Sequence, residues 1–428
     1  MATTTVGIQY YNTYILKKIN SSNADRNWFV EEARIRGGYN NVSTGLSPRA
    51  FIETDTNAQQ SLGNSLIYSG VLNSRTGINQ TNVFSAGEDI TKAVDPSKGT
   101  VQKLYAEDTN LIIFQERKVN RALIDKDAIY TQQGEPIQTT SNKVIGPVQS
   151  YVGEWGIANN PESFAVYGYR KYFTDADKGS VLRLSRDGIT EISNYGMYDF
   201  FRDNMTNIGN GNLIGGWDIH NKCYTLSIQP QSGGYKTLAF DETVLGWTSL
   251  FTYKPDNLFS LTNKFYSTTS GFSDTKDGSI FQHYSALVNR ANFYAAQNDS
   301  TVTTIFNQDP SLIKTFQTIN YEGGSNWKME SFVTNEDTAH DITVYTVPLT
   351  LADMESQLLK NKFKAKEDKY FANLINISPV TQGEVIYGAA ISGVKGFFAT
   401  VKLTATNTAT SGTNELFATS TEYIESSY

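Results

Sequence analysis

Between Ser180 and Ile192 the chain runs out, reverses and returns. Val181-Leu-Arg-Leu-Ser185 alternates apolar and polar, Arg186-Asp187-Gly188 turns, and Ile189-Thr-Glu-Ile192 alternates back. Tight hairpin turns need positive φ, which an Asp-Gly pair supplies, so this stretch reads as an antiparallel hairpin. The pattern recurs. Leu213 to Ile219 and Cys223 to Gln229 flank a turn at His220-Asn221-Lys222, and Tyr235 to Phe240 faces Gly246 to Phe251 across Asp241-Glu242-Thr243. Two hairpins in sequence make a four-stranded sheet. Leu66 to Val71, Leu111 to Gln115 and Phe164 to Phe173 are further strand-like runs bounded by Gly, Asn or Asp.

Up-and-down strands at short intervals, one of them bearing Gly246-Trp247-Thr248 after an acidic turn, suggest propeller blades. At roughly 40 to 50 residues per blade, the stretch from about 64 to 310 has room for about five or six. The fold class read from the sequence is all-β: a β-propeller-like array of antiparallel sheets with an N-terminal arm, two short helices and a C-terminal β domain. The arm is 1–63, where Trp28, Phe29, Val30 and Ile35 give more apolar surface than a solvated tail carries. The propeller-like domain is 64–310, and the closing β domain is 311–428. The helices are read at Tyr195 to Met205 and Leu351 to Phe363, from apolar residues spaced on one helical face. Leu312 to Glu322 and Asn326 to Val333 read as a hairpin across Gly323-Gly324-Ser325, and Thr419 to Tyr428 as a final strand or tail.

Composition supports strands: 12% of residues are aromatic, with 25 Tyr and 23 Phe. It also narrows the function. The 36 basic and 43 acidic residues give a formal charge of −7 with no basic block to track a phosphate backbone, which disfavours tight nucleic-acid binding and leaves open a mildly acidic channel wall that DNA passes without sticking. One cysteine, Cys223, precludes an intrachain disulfide. The amino terminus does not read as a secretory leader, and no apolar run approaches the roughly 18 to 20 residues that cross a bilayer. A protein made in a cytoplasm, without membrane insertion, is expected.

The search for chemistry yields little. His220, His283 and His340 have no metal-ligand spacing, and Cys223 beside His220 reads as a small buried hydrophobe at the start of a strand. Asp175-Ala-Asp177-Lys-Gly179 faintly resembles the start of a calcium loop but lacks the third acidic position and the distal Glu, so a polar turn is expected. Asp125, Asp127, Glu107 and Asp108 are acidic pairs of the kind acid–base catalysts use, without a readable environment. Gly209-Asn-Gly211-Asn-Leu-Ile-Gly215 is no dinucleotide fingerprint, because a strand follows and the third Gly is displaced. The expectation is a protein that is not an enzyme, with no catalytic residues, no cofactor and no metal.

Several long blocks carry a resemblance. Leu66-Ile-Tyr-Ser-Gly-Val-Leu-Asn-Ser-Arg-Thr-Gly-Ile-Asn79 is one. Others are Lys103-Leu-Tyr-Ala-Glu-Asp-Thr-Asn-Leu-Ile-Ile-Phe-Gln-Glu116, Asn160-Pro-Glu-Ser-Phe-Ala-Val-Tyr-Gly-Tyr-Arg170 and Leu182-Arg-Leu-Ser-Arg-Asp-Gly-Ile-Thr-Glu-Ile-Ser193, with Gly393-Val-Lys-Gly-Phe-Phe-Ala-Thr400 and Glu425-Ser-Ser-Tyr428 near the carboxyl end. Together they resemble structural proteins of bacteriophage tails, in particular the tail muzzle, or stabilisation, proteins of crAss-like phages. The resemblance implies a virion structural protein made in the host bacterial cytoplasm. It would be a nozzle-type subunit in a homo-oligomeric ring, six copies by analogy, at the end of the tail channel, contacting other tail proteins and retaining and then releasing the genome. No catalytic residue comes with it. Candidate subunit-interface residues are Trp28, Phe29, Arg75, Phe397, Phe398, Tyr423 and Tyr428. The alternatives are a baseplate or adaptor component, or a glycan-binding receptor-recognition protein using Trp155, Trp217, Trp247 and Trp327 as stacking platforms. Core packing is the other assignment for tryptophans in strands.

Overall fold

The structure, a computed structural model, describes residues 62–339, 362–376, 391–407 and 414–426, omitting 71, 74–76, 80, 86–89, 109, 131–135, 270–278, 337 and 368. It also describes the backbone of strands at 13–18, 28–33, 35–36 and 50–52. Two compact units, Met1–Ile280 and Phe281–Tyr428, divide the chain.

In the first unit, Thr13–Lys18 pairs antiparallel with Trp28–Ala33 and parallel with Ala50–Ile52. Three four-stranded antiparallel sheets then follow, each in sequence order. The first is Val101–Glu107, Asn110–Gln115, Val119–Tyr130 and Pro136–Ser150. The second is Ala165–Tyr167, Arg170–Asp175, Ser180–Ser185 and Gly188–Glu191. The third is Asn212–Asp218, Cys223–Gln229, Lys236–Asp241 and Gly246–Phe251. A three-stranded sheet of Asn257–Leu261, Lys264–Thr269 and Ser279–Gln282 comes next.

The first strand of the second sheet adjoins the first strand of the third, which adjoins the first strand of the fourth. Core lies between sheets. Ile112, Phe114 and Val119 of the first sheet bury against Phe173, Leu182 and Leu184 of the second. Tyr172 and Val181 of the second bury against Leu213, Trp217, Tyr224 and Leu226 of the third. Successive meanders packed face to face, with their leading strands side by side, form the propeller-like array read from the sequence.

Why the sheets can approach so closely is visible in one strand. A Cβ on Gly215 would stand 2.0 Å from the Ser163 carbonyl oxygen, and one on Gly216 would stand 2.4 Å from the Leu258 Cβ. The adjacent glycines let one backbone lie between two neighbours. Tyr224 Oη donates to the Ser163 carbonyl at 2.6 Å, and Ser260 Oγ donates to the Trp217 carbonyl at 2.5 Å, stitching the same seams.

Two local readings need correction. Phe164 to Phe173 is not one strand: Tyr167 pairs with Arg170, and the chain reverses at Gly168-Tyr169, with Gly168 at φ 57°. An unbroken aromatic and β-branched run conceals so short a turn. The helix read from Tyr195 begins at Tyr198 and ends at Met205, burying Phe201 and Met205 one turn apart. Leu351 to Phe363, the other expected helix, lies outside the described residues except at its last two positions.

The second unit is a sandwich of a six-stranded and a five-stranded sheet around one core. Here the expected hairpin fails. Lys314–Gly323 pairs with Lys369–Asn373, Val394–Gly396 and Leu416–Glu425, whereas Trp327–Thr334 pairs with Thr338–Ala339 and Ala399–Ala405. The chain arches at Gly323 to Asn326 from one sheet into the other, so Phe316, Ile319 and Tyr321 meet Trp327, Met329 and Phe332 through side chains. Alternation marks a buried face but not whether the next strand lies beside it or across the core. Ser300–Phe306, which the sequence reading placed before its boundary at 310, pairs along its whole length with Ala399–Ala405 and so belongs to this sandwich.

Candidate functional site

Four aromatic rings stack along the seam between the second and third sheets. Tyr167 and Trp217 centroids are 4.3 Å apart, Trp217 and Tyr172 5.4 Å, and Tyr172 and Tyr224 5.0 Å. Beside them Glu242 reaches in from the acidic turn. It accepts a hydrogen bond from Tyr172 Oη at 2.7 Å and pairs with Arg183 at 2.8 Å and Arg170 at 3.6 Å. Burial, and then the neighbouring Glu242 carboxylate, push the Tyr172 hydroxyl far above the ordinary tyrosine range. A cleft of about 320 Å³ opens along the leading strands, lined by residues that include Phe164, Tyr167, Trp217 and Phe259. Its walls are aromatic and aliphatic side chains and backbone, with no carboxylate among them.

The tryptophans proposed as sugar platforms are engaged in packing. Trp217 and Trp327 are buried, Trp247 packs on Phe201 and Phe240, and the half-buried Trp155 is covered by the Lys178 ammonium 4.4 Å from its ring centroid.

The carboxylates singled out in the sequence do not converge. Glu107 pairs with Lys171 at 2.5 Å. Asp177 is exposed near Arg117, and the side chains of Asp125 and Asp127 lie outside the described residues. Asp175 turns inward, where its Oδ2 accepts from Gly156 N at 3.2 Å and its Oδ1 from Lys178 N at 3.3 Å. Burial raises its carboxyl to about 6, against the backbone donors and Lys178, which favour the charged form. The folded state therefore keeps a proton that the unfolded chain releases between 3.8 and about 6. Stability from this group is fully present below that window and lost as pH rises through about 6. Asp175→Asn should gain about 1–2 kcal/mol at pH 7 and flatten the melting temperature between pH 4 and 6. Parallel wild-type and variant curves would refute it. Cys223 is likewise buried, its thiol pushed up to about 12, and His220 Nδ1 sits 3.1 Å from Asn221 Oδ1.

Of the interface candidates, Phe397 and Tyr423 are brought together, and by a residue the sequence reading missed. Lys314 is fully buried, its ammonium donating to the carbonyls of Asp309 at 3.0 Å, Leu312 at 3.1 Å and Phe397, with the Tyr423 ring centroid 5.8 Å away. Tyr423 Oη in turn donates to Asp309 Oδ2 at 2.9 Å. The signal was present, since Lys314 falls in alternation with buried Phe316. Phe398 is exposed. Trp28 and Phe29 lie in the strand Trp28–Ala33 with only their backbone described, and Arg75 and Tyr428 fall outside the described residues.

The second unit also presents a long open edge. Leu416–Glu425 pairs on one side with Lys314–Gly323, and no strand covers its other side among the described residues. Phe417, left without a partner by a bulge, is 76% exposed, and Ile424 56%. Such an edge, with no Lys or Pro to blunt it, is a ready template for another strand.

No helix of the described residues is long and apolar enough to cross a membrane. No curated protein matches the chain. Among solved structures, an exo-β-1,3-galactanase from Phanerochaete chrysosporium, crystallised with β-1,3-galactotriose, aligns at 9% identity over 80% of this chain and 98% of that one. Its TM-score of 0.19 is too low to bear on fold or function. Residues 288–376 match the family model described as the Crassvirus muzzle protein C-terminal domain. That stretch runs from the two-stranded sheet at Asn292–Phe293 through the sandwich strands to Ile375–Asn376, and over it the chain is similar to the muzzle-type structural tail proteins of crAss-like phages that the sequence resembles.

Proposed function

We propose that the protein is a ring-forming subunit at the end of a crAss-like phage tail channel, a nozzle or muzzle part that helps retain the genome and let it out and performs no chemical step. The observation that carries the reading is the muzzle-domain match over residues 288–376. The long edge at Leu416–Glu425, which no strand of the described residues covers, supports it, because a surface of that kind calls for a neighbour. The formal charge of −7 suits a wall that repels phosphate as DNA passes. Its partners are sister copies, six by analogy, together with adjoining tail proteins. Engagement of the described tryptophans in packing favours this reading over a glycan-binding one.

Imaging of the phage particle with rotational averaging is the test. Density for this chain should repeat around the tail axis at the distal end, with a large surface buried between copies, roughly 2,000 Å² or more. A single copy off the axis, or a purified monomer that degrades polysaccharide, would reject the proposal.

A further inference from the structure

The two outer strands of the five-stranded sheet differ in charge. Leu416–Glu425 carries Glu422 and Glu425 and no base. The far edge is Lys364–Lys366, Lys-Ala-Lys, exposed throughout. Register places Lys364, Lys366 and Glu422 on one face, while Glu425, opposite the inward Lys314, lies at the same edge on the other face. Lys364 stands opposite Phe371, Phe371 opposite Asn320, and Asn320 opposite Ser420. In the next rows Lys366, Lys369, Glu322 and Ala418 align, and Thr318 stands opposite Glu422. Directly opposed residues share a face, so that face grades from basic at one edge to acidic at the other. Strand direction fits as well. Lys364–Lys366, Lys369–Asn373, Lys314–Gly323 and Leu416–Glu425 alternate in direction across the sheet, each pair antiparallel. The basic strand of a second copy, laid beside Leu416–Glu425 with the same face outward, would continue that alternation unbroken.

We propose that the acidic edge Leu416–Glu425 of one copy receives the basic edge Lys364–Lys366 of the next, so that the sheet runs from subunit to subunit. This rests on the ring reading above and specifies how its copies join. Main-chain hydrogen bonds supply the attachment, and the Lys364 and Lys366 ammonium groups against Glu422, with Glu425 adding negative charge at the same edge, set register and direction. Each edge repels a copy of itself and accepts the other. The contact is therefore head-to-tail, the kind that closes into a ring when the rotation closes, rather than a two-fold pairing. Two acidic edges brought together would place only carboxylates at the seam.

Charge reversal tests it on the full chain. K364E/K366E and E422K/E425K should each weaken self-association at least about tenfold in analytical ultracentrifugation, with melting temperatures unchanged because all four side chains are exposed. A one-to-one mixture of the two variants should recover assembly, because each then meets an opposite edge. Variants that assemble like wild type, while particle images still show a ring of this chain, would overturn the edge pairing and leave the ring reading intact. A wild-type chain that stays monomeric and shows no ring in the particle would sink both.

Discussion

Gly215→Ala is expected to lower the melting temperature of the first unit by about 6–12 °C, a cost of about 3 kcal/mol or more. The new methyl group would stand 2.0 Å from the Ser163 carbonyl oxygen and 2.7 Å from Tyr224 Oη. The first obstacle is backbone, which no rotamer change can move aside, so the second and third sheets must part. Parting also breaks the 2.6 Å bond between Tyr224 and Ser163 and loosens the aromatic stack. Gly234→Ala is the control, since nothing lies within 4 Å of its Cβ position. Thermal denaturation of the two variants decides the matter, and equal midpoints would mean the sheets are not packed this closely.

Glu242→Ala should cost about 3–5 kcal/mol by leaving Arg183 and Arg170 without their carboxylate in a poorly solvated seam. The side chains of Glu242 and Arg183 are 9% and 13% exposed, whereas Arg170 is 32% exposed and contributes the lesser share. The joint variant Arg183→Met with Glu242→Leu should be less destabilised than Glu242→Ala alone, because the more buried arginine is then gone and only the partly solvated Arg170 lacks its carboxylate. Urea denaturation would measure this, and a double variant worse than the single would show that the ion pair itself, rather than the cost of an orphaned charge, holds the seam.

Much of the first unit was legible in the sequence because its folding signals are local. The strands Ser180–Ser185 and Gly188–Glu191 need only their own alternation and the Asp187-Gly188 turn, and the meander from Asn212 to Phe251 follows the same rules. Where a partner lies far along the chain, local signals fail. Gly323-Gly324 looks like a hairpin turn but serves an arch, and Ser300–Phe306 finds its partner at Ala399–Ala405. The buried polar groups divide on the same line. Lys314 falls at an inward position of its strand, so burial could have been read, whereas Glu242 sits in a turn whose sequence says nothing of the arginines it meets. The open edge is a third case, since it exists only once strand order is known.

That strand order has a consequence for biosynthesis. Thr421 donates to the Thr318 carbonyl across 103 residues of sequence, because the flanking strand is translated long after the one it covers. A ribosome-bound fragment stopping before Leu416 would hold Lys314–Gly323 with a bare side and offer its sisters no acidic edge. Were copies to join through that edge, a product terminated before Leu416 would keep only the Lys364–Lys366 edge, so it could attach to a neighbour but not receive one.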